Sequence, residues 1–293
     1  MNVFTIRDLE NLSGVKAHTI RIWEQRYAFL KPKRTGTNIR YYSQDELKTI
    51  LGISLLNKYG FKISHIDKMA PVEIKERLLT LSQTEARQER IVNDLILYMV
   101  DLDTDGFEYT LGEYIQTYGT EKTILQVISP YLERIGLLWS ANHINPAQQH
   151  LITNILRQKL ISGIDSLPIP PQGGKSVLIF LPEGEHYELA LLYVYYMLKR
   201  KGVRVLYIGM NAPLKDIEYV ARLKAPGLLY THLTTSGHNY TSDRFLHNLA
   251  SHVTNIPLLI TGANSRVYKK SPPENIHFAS SFPEVYEFVA SAQ

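Results

Sequence analysis

The pattern of hydrophobic and polar positions divides the chain into three stretches. Short apolar stripes at helical spacing run through residues 1 to about 78, and longer helical stripes fill residues 82 to 165. Beyond residue 175, short apolar runs alternate with amphipathic stretches. Segment 166–174 is rich in Pro and Gly and is typical of a linker. The pattern therefore predicts three domains, at 1–78, 82–165 and 175–293.

The third stretch predicts a doubly wound, Rossmann-like parallel sheet. Short apolar runs of the kind found in buried parallel strands occur at 177–181, 203–209, 227–230, 257–261 and 276–279. Helical patterns occur between and after them, at 187–200, 213–223, 241–254 and 283–291. In such sheets, ligands bind outside the carboxyl ends of the strands. The second stretch, by contrast, predicts a four-helix bundle.

The first stretch predicts a helix-turn-helix followed by a basic hairpin. Thr5 with Asp8, and Ser43 with Glu46, have the spacing of capping boxes at two helix starts. Gly14 permits a tight corner after the first helix. A two-helix corner with a basic hairpin is the layout of a winged helix-turn-helix domain, which fits double-stranded DNA.

The second helix of this domain has one apolar and one polar side. Ile20, Trp23 and Tyr27 share a face and are expected in the core. The side chains expected to contact DNA lie on the polar side and in the hairpin: His18, Thr19, Arg21, Arg26, Lys33, Arg34, Arg40 and Tyr42. The arginines are expected to contact phosphates, whereas His18 and Thr19 are better placed for base edges.

Charge and composition narrow the function. Residues 1–80 contain 14 Lys and Arg against 8 Asp and Glu, while the rest contains 18 against 20, so the expected polyanion partner concerns the first domain alone. The absence of Cys excludes disulfides and thiolate metal sites. No apolar run reaches the ~18 residues of a membrane span, and no apolar signal region precedes the first helix. We expect a cytoplasmic protein without membrane contact.

Signatures of catalysis are missing from the sequence. It contains neither a Gly-x-Gly-x-x-Gly turn after a strand nor a P-loop, and its ten histidines lack metal-site spacing. We therefore expect no enzymatic activity, no catalytic residue and no metal site.

The motif Thr-Ile-Arg-x-Trp-Glu-x-Arg-Tyr at 19–27, with Pro-x-Arg at 32–34 and Arg-x-Tyr-Ser at 40–43, resembles the MerR family of winged-helix regulators. Its Trp-Glu variant is similar to the CarA/CarH branch, the light- and cobalamin-responsive repressors of carotenoid genes. The rest of the chain resembles the helical cap and cobalamin-binding sheet of that branch. The resemblance implies a repressor that acts as a dimer or tetramer, assembled through the sensor half after residue 82. RNA polymerase is a candidate further partner.

Cobalamin is the cofactor that this resemblance implies, and three of the branch's cobalamin-binding motifs are altered in this sequence. In the branch, Trp-x9-Glu-His covers the upper face of cobalamin; here Trp139 is followed by Gln149 and His150. The lower cobalt ligand is the His of Glu-x-His-x-x-Gly.

Aligning the second motif on Glu185 places Tyr187 at the position of this ligand. A slip of one residue would make His186 the ligand instead. A neutral phenol is a poor cobalt ligand, because cobalt prefers imidazole nitrogen.

The remaining motif positions follow the third and fourth strands of the sheet. A hydroxyl residue is expected after the third strand, with Thr234 among the candidates, and Gly-Gly after the fourth has become Gly262-Ala263. The added methyl group narrows the slot for the nucleotide tail. We predict that cobalamin binding is lost or weakened. The alternative is a working adenosylcobalamin-dependent, light-responsive repressor, and a more remote one is a corrinoid carrier or enzyme component.

Overall fold

Two structural units divide the chain, Met1–Ile155 and Leu156–Gln293. The computed structural model describes residues 3–140, 144–171, 173–233, 242–253, 255–262 and 273–292. Within these ranges, no helix has the length and apolar character needed to cross a membrane.

The first unit begins with the head, residues 3–80. Its elements are α1 (Ile6–Ser13), α2 (Ala17–Arg26), β1 (Lys33–Arg34), β2 (Arg40–Tyr41), α3 (Gln44–Lys58), α4 (Ile63–Ile66) and α5 (Pro71–Thr80). Both predicted capping boxes are confirmed: Thr5 with Asp8 opens α1, and Ser43 with Glu46 opens α3. Gly14 ends α1 with a φ of 72°, a left-handed conformation that glycine adopts without strain.

The core of the head follows the predicted apolar stripes with one exception. Leu9, Ile20 and Trp23 are buried. Tyr27, also predicted in the core, is only half-buried. The reason is that α2 ends at Arg26, so the extended backbone of Tyr27 turns its ring away from the helix face, where it stacks on Phe29.

The helical block follows the head. It comprises α6 (Thr84–Asp101), α7 (Thr104–Tyr118), α8 (Thr120–Thr123), which continues through a π-helical turn (Ile124–Ile128) into α9 (Ser129–Ser140), and α10 (Pro146–Asp165). Apolar residues spaced by three and four positions bury one stripe of each helix. Examples are Leu95 and Met99 on α6 and Phe107 and Leu111 on α7. The predicted run of long helices is confirmed.

The second unit contains a five-stranded parallel sheet. Its strands are β3 (Val177–Pro182), β4 (Val205–Ala212), β5 (Leu228–His232), β6 (Leu258–Thr261) and β7 (Ile276–Phe278). Their order over the described residues is β4-β3-β5-β6-β7. The accompanying helices are α11 (Leu189–Arg200), α12 (Leu214–Lys224), α13 (Ser242–His252) and α14 (Phe282–Ala292). The predicted doubly wound sheet is confirmed, and its strand order reverses between β3 and β5, where such folds bind ligands.

Gly262, directly after β6, occupies a position that only glycine fits. Its φ is 103°, and a Cβ atom there would lie 2.2 Å from the carbonyl oxygen of Leu233. The close approach of the two backbone segments after β5 and β6 therefore requires glycine, whatever the ligand.

Gly262→Ala should lower the free energy of unfolding by about 2–4 kcal/mol, because the left-handed backbone and the carbonyl contact both oppose a Cβ atom. Gly174→Ala is the matched control, since no atom lies within 4 Å of its Cβ position. The control should change stability by less than about 0.5 kcal/mol. Urea unfolding followed by circular dichroism measures both variants, and equal losses would contradict this account.

Candidate functional site

Helix α2 presents a polar and basic side away from the core of the head. Ile20 and Trp23 are buried on one side of the helix. The predicted contact residues of α2 are exposed, apart from Thr19, which is half-buried: His18, Thr19, Arg21 and Arg26. The structure therefore leaves three of the four side chains fully accessible to a ligand that approaches this side of the helix.

The basic hairpin is a two-stranded wing. Arg34 pairs with Arg40 across the antiparallel strands, and Lys33 pairs with Tyr41. Lys33 and Arg34 are exposed. Arg34 Nη1 donates to Asn38 Oδ1 at 2.8 Å, which ties the arginine to the wing tip. The wing thus adds two accessible cations to those of α2.

Glu24, the acidic residue of the Trp-Glu pair, had no predicted structural role, and it joins the wing to α2. Glu24 has a side chain only 8% exposed, and it accepts a hydrogen bond from Arg40 Nε at 3.0 Å. It also accepts one from the Tyr42 hydroxyl. Burial, then the bond to Glu24, raise the pKa of Tyr42 well above its ordinary value. One carboxylate therefore connects α2 to both ends of β2.

This connection corrects one of the predicted DNA contacts. Tyr42 is completely buried, so its side chain supports the wing from beneath and does not reach the surface. Arg40 is half-buried, with its Nε committed to Glu24. The sequence signal for Glu24 was a lone acidic residue within a basic helix, directly after the buried Trp23.

The start of α10 carries two of the predicted ligand-pocket residues. Gln149 is half-buried and His150 is exposed. The Asn145 side chain accepts the Ala147 N–H at 2.9 Å and so caps the first turn of α10. Trp139 lies in the last turn of α9, and its side chain is outside the described residues.

Gln148, which the sequence analysis did not single out, holds this helix start in place. It is buried, and its Nε2 donates to the carbonyl oxygens of Met99 and Val100 at 3.2 and 3.0 Å. Its Oε1 accepts the Asn145 N–H at 3.1 Å. Gln148 therefore fixes the first turn of α10 to the end of α6.

The loop between β3 and α11 presents two side chains between two buried carboxylates. Glu185 and Glu188 are each 7% exposed, whereas His186 and Tyr187 are exposed. Asn211 holds the loop, because its Oδ1 accepts the Gly184 N–H at 2.9 Å and its N–H donates to the Glu185 carbonyl at 3.2 Å.

Glu188 anchors the other end of this loop. It accepts hydrogen bonds from Arg157 Nε at 2.5 Å and from the Tyr207 hydroxyl. Burial, then the bond to Glu188, raise the pKa of Tyr207. Tyr195 stacks on Tyr207, with ring centroids 5.4 Å apart. The carboxylate thus links α10, α11 and β4 within the second unit.

The carboxyl ends of β5 and β6 carry a buried polar cluster. His232 Nδ1 and the Tyr230 hydroxyl each lie 2.7 Å from Thr261 Oγ1. Burial lowers the pKa of His232 to about 4, so the ring is neutral at neutral pH. The Thr231 hydroxyl is buried and has no hydrogen-bond partner among the residues that the structure describes.

One further position of the predicted motifs can be placed, and two cannot. Gly262 follows this cluster directly, at the end of β6. Thr234 and Ala263 lie outside the described residues. Among the residues that are described, no group of three or more His, Cys, Asp or Glu side chains could hold a metal ion.

Comparison with known proteins finds family matches for the head and for the helical block. Residues 4–72 match the MerR HTH family regulatory protein, and residues 91–161 match the B12 binding domain. The HTH-type transcriptional repressors CarH and CarA of Myxococcus xanthus are similar, at 27% identity over 220 residues and 29% over 215 residues. These matches cover 73% of this chain, 73% of CarH and 70% of CarA.

The fold of the chain is also similar to that of a solved structure. The monomethylamine corrinoid protein of Methanosarcina barkeri is 13% identical and has a TM-score of 0.55, over 70% of this chain and 100% of that one. At this identity the likeness concerns the fold alone. The sequence matches lead to one conclusion: the chain is homologous to the CarH and CarA transcriptional repressors, with a MerR-type helix-turn-helix region followed by a B12-binding-domain region.

Proposed function

We propose that the protein is a sequence-specific, DNA-binding repressor of transcription. The observation that carries the proposal is the exposed basic side of α2 beside a wing that Glu24 ties to the same helix. The match of residues 4–72 to MerR-type regulators supports DNA as the partner. The named relatives are repressors, which supports a regulatory role without enzymatic activity.

In this proposal α2 enters the major groove and the wing follows the flanking backbone. His18 and Thr19, in the first turn of α2, approach base edges. The phosphate contacts come from the exposed cations Arg21, Arg26, Lys33 and Arg34, with Arg40 as a partial contributor. Phosphate contacts fix the register of the protein on the duplex and make its affinity depend on salt.

The three domains at 1–78, 82–165 and 175–293 take the roles of DNA-binding head, helical cap and cobalamin-binding-like sheet. We propose a cytoplasmic homo-oligomer, a dimer or tetramer, assembled through the sensor half. Two heads on one operator bind with a higher effective concentration than a single head. RNA polymerase is proposed as a further partner.

Arg21→Ala should weaken binding to operator and unrelated duplexes by similar factors, because a phosphate contact carries no sequence information. The slope of log affinity against log salt should fall by about one. Fluorescence anisotropy at several salt concentrations measures this, with an operator selected from random duplexes. Arg77→Ala, on the exposed surface of α5, is the control and should leave the slope unchanged. A change of sequence preference alone would contradict a phosphate role.

Glu24→Gln should weaken operator binding by about three- to tenfold, because the wing loses its charged anchor on α2. Hydroxyl-radical footprinting should show reduced protection at the outer edges of the site, with the central bases still protected. Glu10→Gln removes the same charge from the more exposed ion pair with Lys16 and serves as the control. An unchanged footprint at the edges would show that Glu24 does not position the wing.

For the sensor half we propose that cobalamin binding is lost or weakened. The loop after β3 presents a phenol where the resemblance calls for an imidazole, so the residues in this register do not fit the cofactor's lower face. Buried Glu185 and Glu188 flank the two exposed residues, which supports the alignment that places Tyr187 in the ligand position.

A working adenosylcobalamin-dependent, light-responsive repressor is the alternative. The match of residues 91–161 to the B12 binding domain favours it, and His186 offers an imidazole beside Tyr187. The fold likeness to a corrinoid protein keeps a corrinoid carrier as the remote alternative.

Purified apo protein mixed with adenosylcobalamin in the dark and then desalted should lose most of the cofactor. Tyr187→His should raise retention by about tenfold, because it supplies an imidazole ligand. Tyr219→His, at another exposed tyrosine of the second unit, is the control and should change nothing. Stoichiometric retention by the unaltered protein would overturn the proposal, and its loss in His186→Ala would identify His186 as the ligand.

A further inference from the structure

Asn93 forms a buried polar link between the head and the helical block. It lies on α6 and is 7% exposed. Its Nδ2 donates to the carbonyl oxygen of Leu51, in the middle of α3, at 3.3 Å. Its Oδ1 accepts a hydrogen bond from Arg134 Nη1, on α9, at 2.8 Å. One amide therefore joins three helices, one of which belongs to the head.

Arg134 is the unusual member of this link. Burial lowers the pKa of its guanidinium to about 10, although Glu89 opposes the shift, so the group is still charged at neutral pH. Burying a cation costs free energy unless polar groups meet it in good geometry. The free-energy cost of burying the Arg134 guanidinium rises if α9 and α6 move apart. The contact between Arg134 and Asn93 therefore has a preferred geometry, which apolar packing would not impose.

Polar contacts at the rim extend the same link. Glu89, on α6, accepts hydrogen bonds from Lys58 Nζ at 2.5 Å and from the Tyr59 hydroxyl at 3.1 Å, both at the end of α3. Arg90 Nη1 donates to the Leu78 carbonyl, on α5, at 3.2 Å. Helix α6 is thus bonded to two helices of the head at separate points.

The Asp94 carboxyl group, on α6, also interacts with charged residues of the head. Burial raises the pKa of this carboxyl to about 6, and the cations that oppose the shift are Arg90 on α6, Lys48 on α3 and Lys75 on α5. The carboxyl group is therefore mostly charged at neutral pH and is attracted by cations of both α6 and the head. Charged groups thus contribute to the contact between head and helical block.

Helix α9 runs from this link to Trp139, one of the predicted ligand-pocket residues. Arg134 and Trp139 are five residues apart on one continuous helix, a rise of about 7.5 Å. If the Trp139 end of α9 moved, Arg134 would move with it, because a packed helix moves as a rigid segment.

We propose that Asn93 and Arg134 are positioning residues that fix the orientation of the head on the helical block, so that movement of α9 changes how α2 and the wing are presented. The regulatory meaning rests on the proposed function, but the positioning itself does not. Breaking the link at Asn93 or Arg134 leaves the head held by segment 81–83 and by the rim contacts of Glu89 and Arg90, so the folded head adopts a wider range of orientations.

The absence of Cys from the sequence permits a direct test. Spin labels are attached to Gln25→Cys on α2 and Tyr109→Cys on α7, both exposed, in the full chain. Pulsed electron paramagnetic resonance then measures the distribution of distances between them. We expect one narrow distribution in the unaltered background, broadened at least twofold by Arg134→Met or Asn93→Leu. Arg77→Met, at an exposed arginine of the head, should leave it narrow.

Two additional variants guard against misfolding. Arg134→Lys keeps the charge and should restore part of the narrow distribution, and Glu89→Gln, at the half-buried rim, should broaden it less than Arg134→Met. A broad distribution in the unaltered background, or a narrow one in all link variants, would overturn the proposal.

DNA binding separates this inference from the proposed function. On an operator with two half-sites, Arg134→Met should weaken binding about tenfold, while affinity for a single half-site should stay within about twofold. Equal losses on both duplexes would contradict a positioning role. If the unaltered protein bound no DNA, the proposed function would fail, while the distance measurements would still decide the positioning role.

Discussion

A carboxylate that leaves water must meet both positive charge and hydrogen-bond donors, and this constraint organises the functional surfaces of the protein. Glu24 in the head and Glu188 at the sheet edge are buried, and Glu89 between head and helical block is half-buried. Each accepts hydrogen bonds from one Lys or Arg and from one tyrosine hydroxyl. The three carboxylates join elements that local sequence alone would leave independent.

At the sheet edge, the residues that hold the loop in place are different from the residues that the loop exposes. Glu188 and Asn211 hold the loop after β3 at its two ends, and the exposed His186 and Tyr187 lie between them. Preorganised loops lose less conformational entropy when they bind a ligand. The loop is therefore held in one conformation, which would lower the entropic cost of binding a ligand at this edge.

Local signals in the sequence predicted the elements well. The capping boxes at Thr5 and Ser43 depend on residues three apart, and the strands depend on short apolar runs, so a short window of sequence contains what is needed. The misses involve distant partners. Tyr42 was predicted to contact DNA, yet its hydroxyl donates to Glu24, eighteen residues earlier, and its side chain is buried. Asn93 had no signal, because its partners lie 42 and 41 residues away.

The sequence by itself determined the order of elements, the basic character of the head and the resemblance to cobalamin-linked repressors, because each is written in spacing or composition over short ranges. The tertiary structure decided which polar side chains are exposed and which are hydrogen-bonded to other elements of the fold. It also showed that Gly262 is required by the backbone of Leu233, whatever the ligand. Whether a polar side chain is exposed or hydrogen-bonded depends on contacts between residues far apart along the chain. Only the folded arrangement brings those residues together.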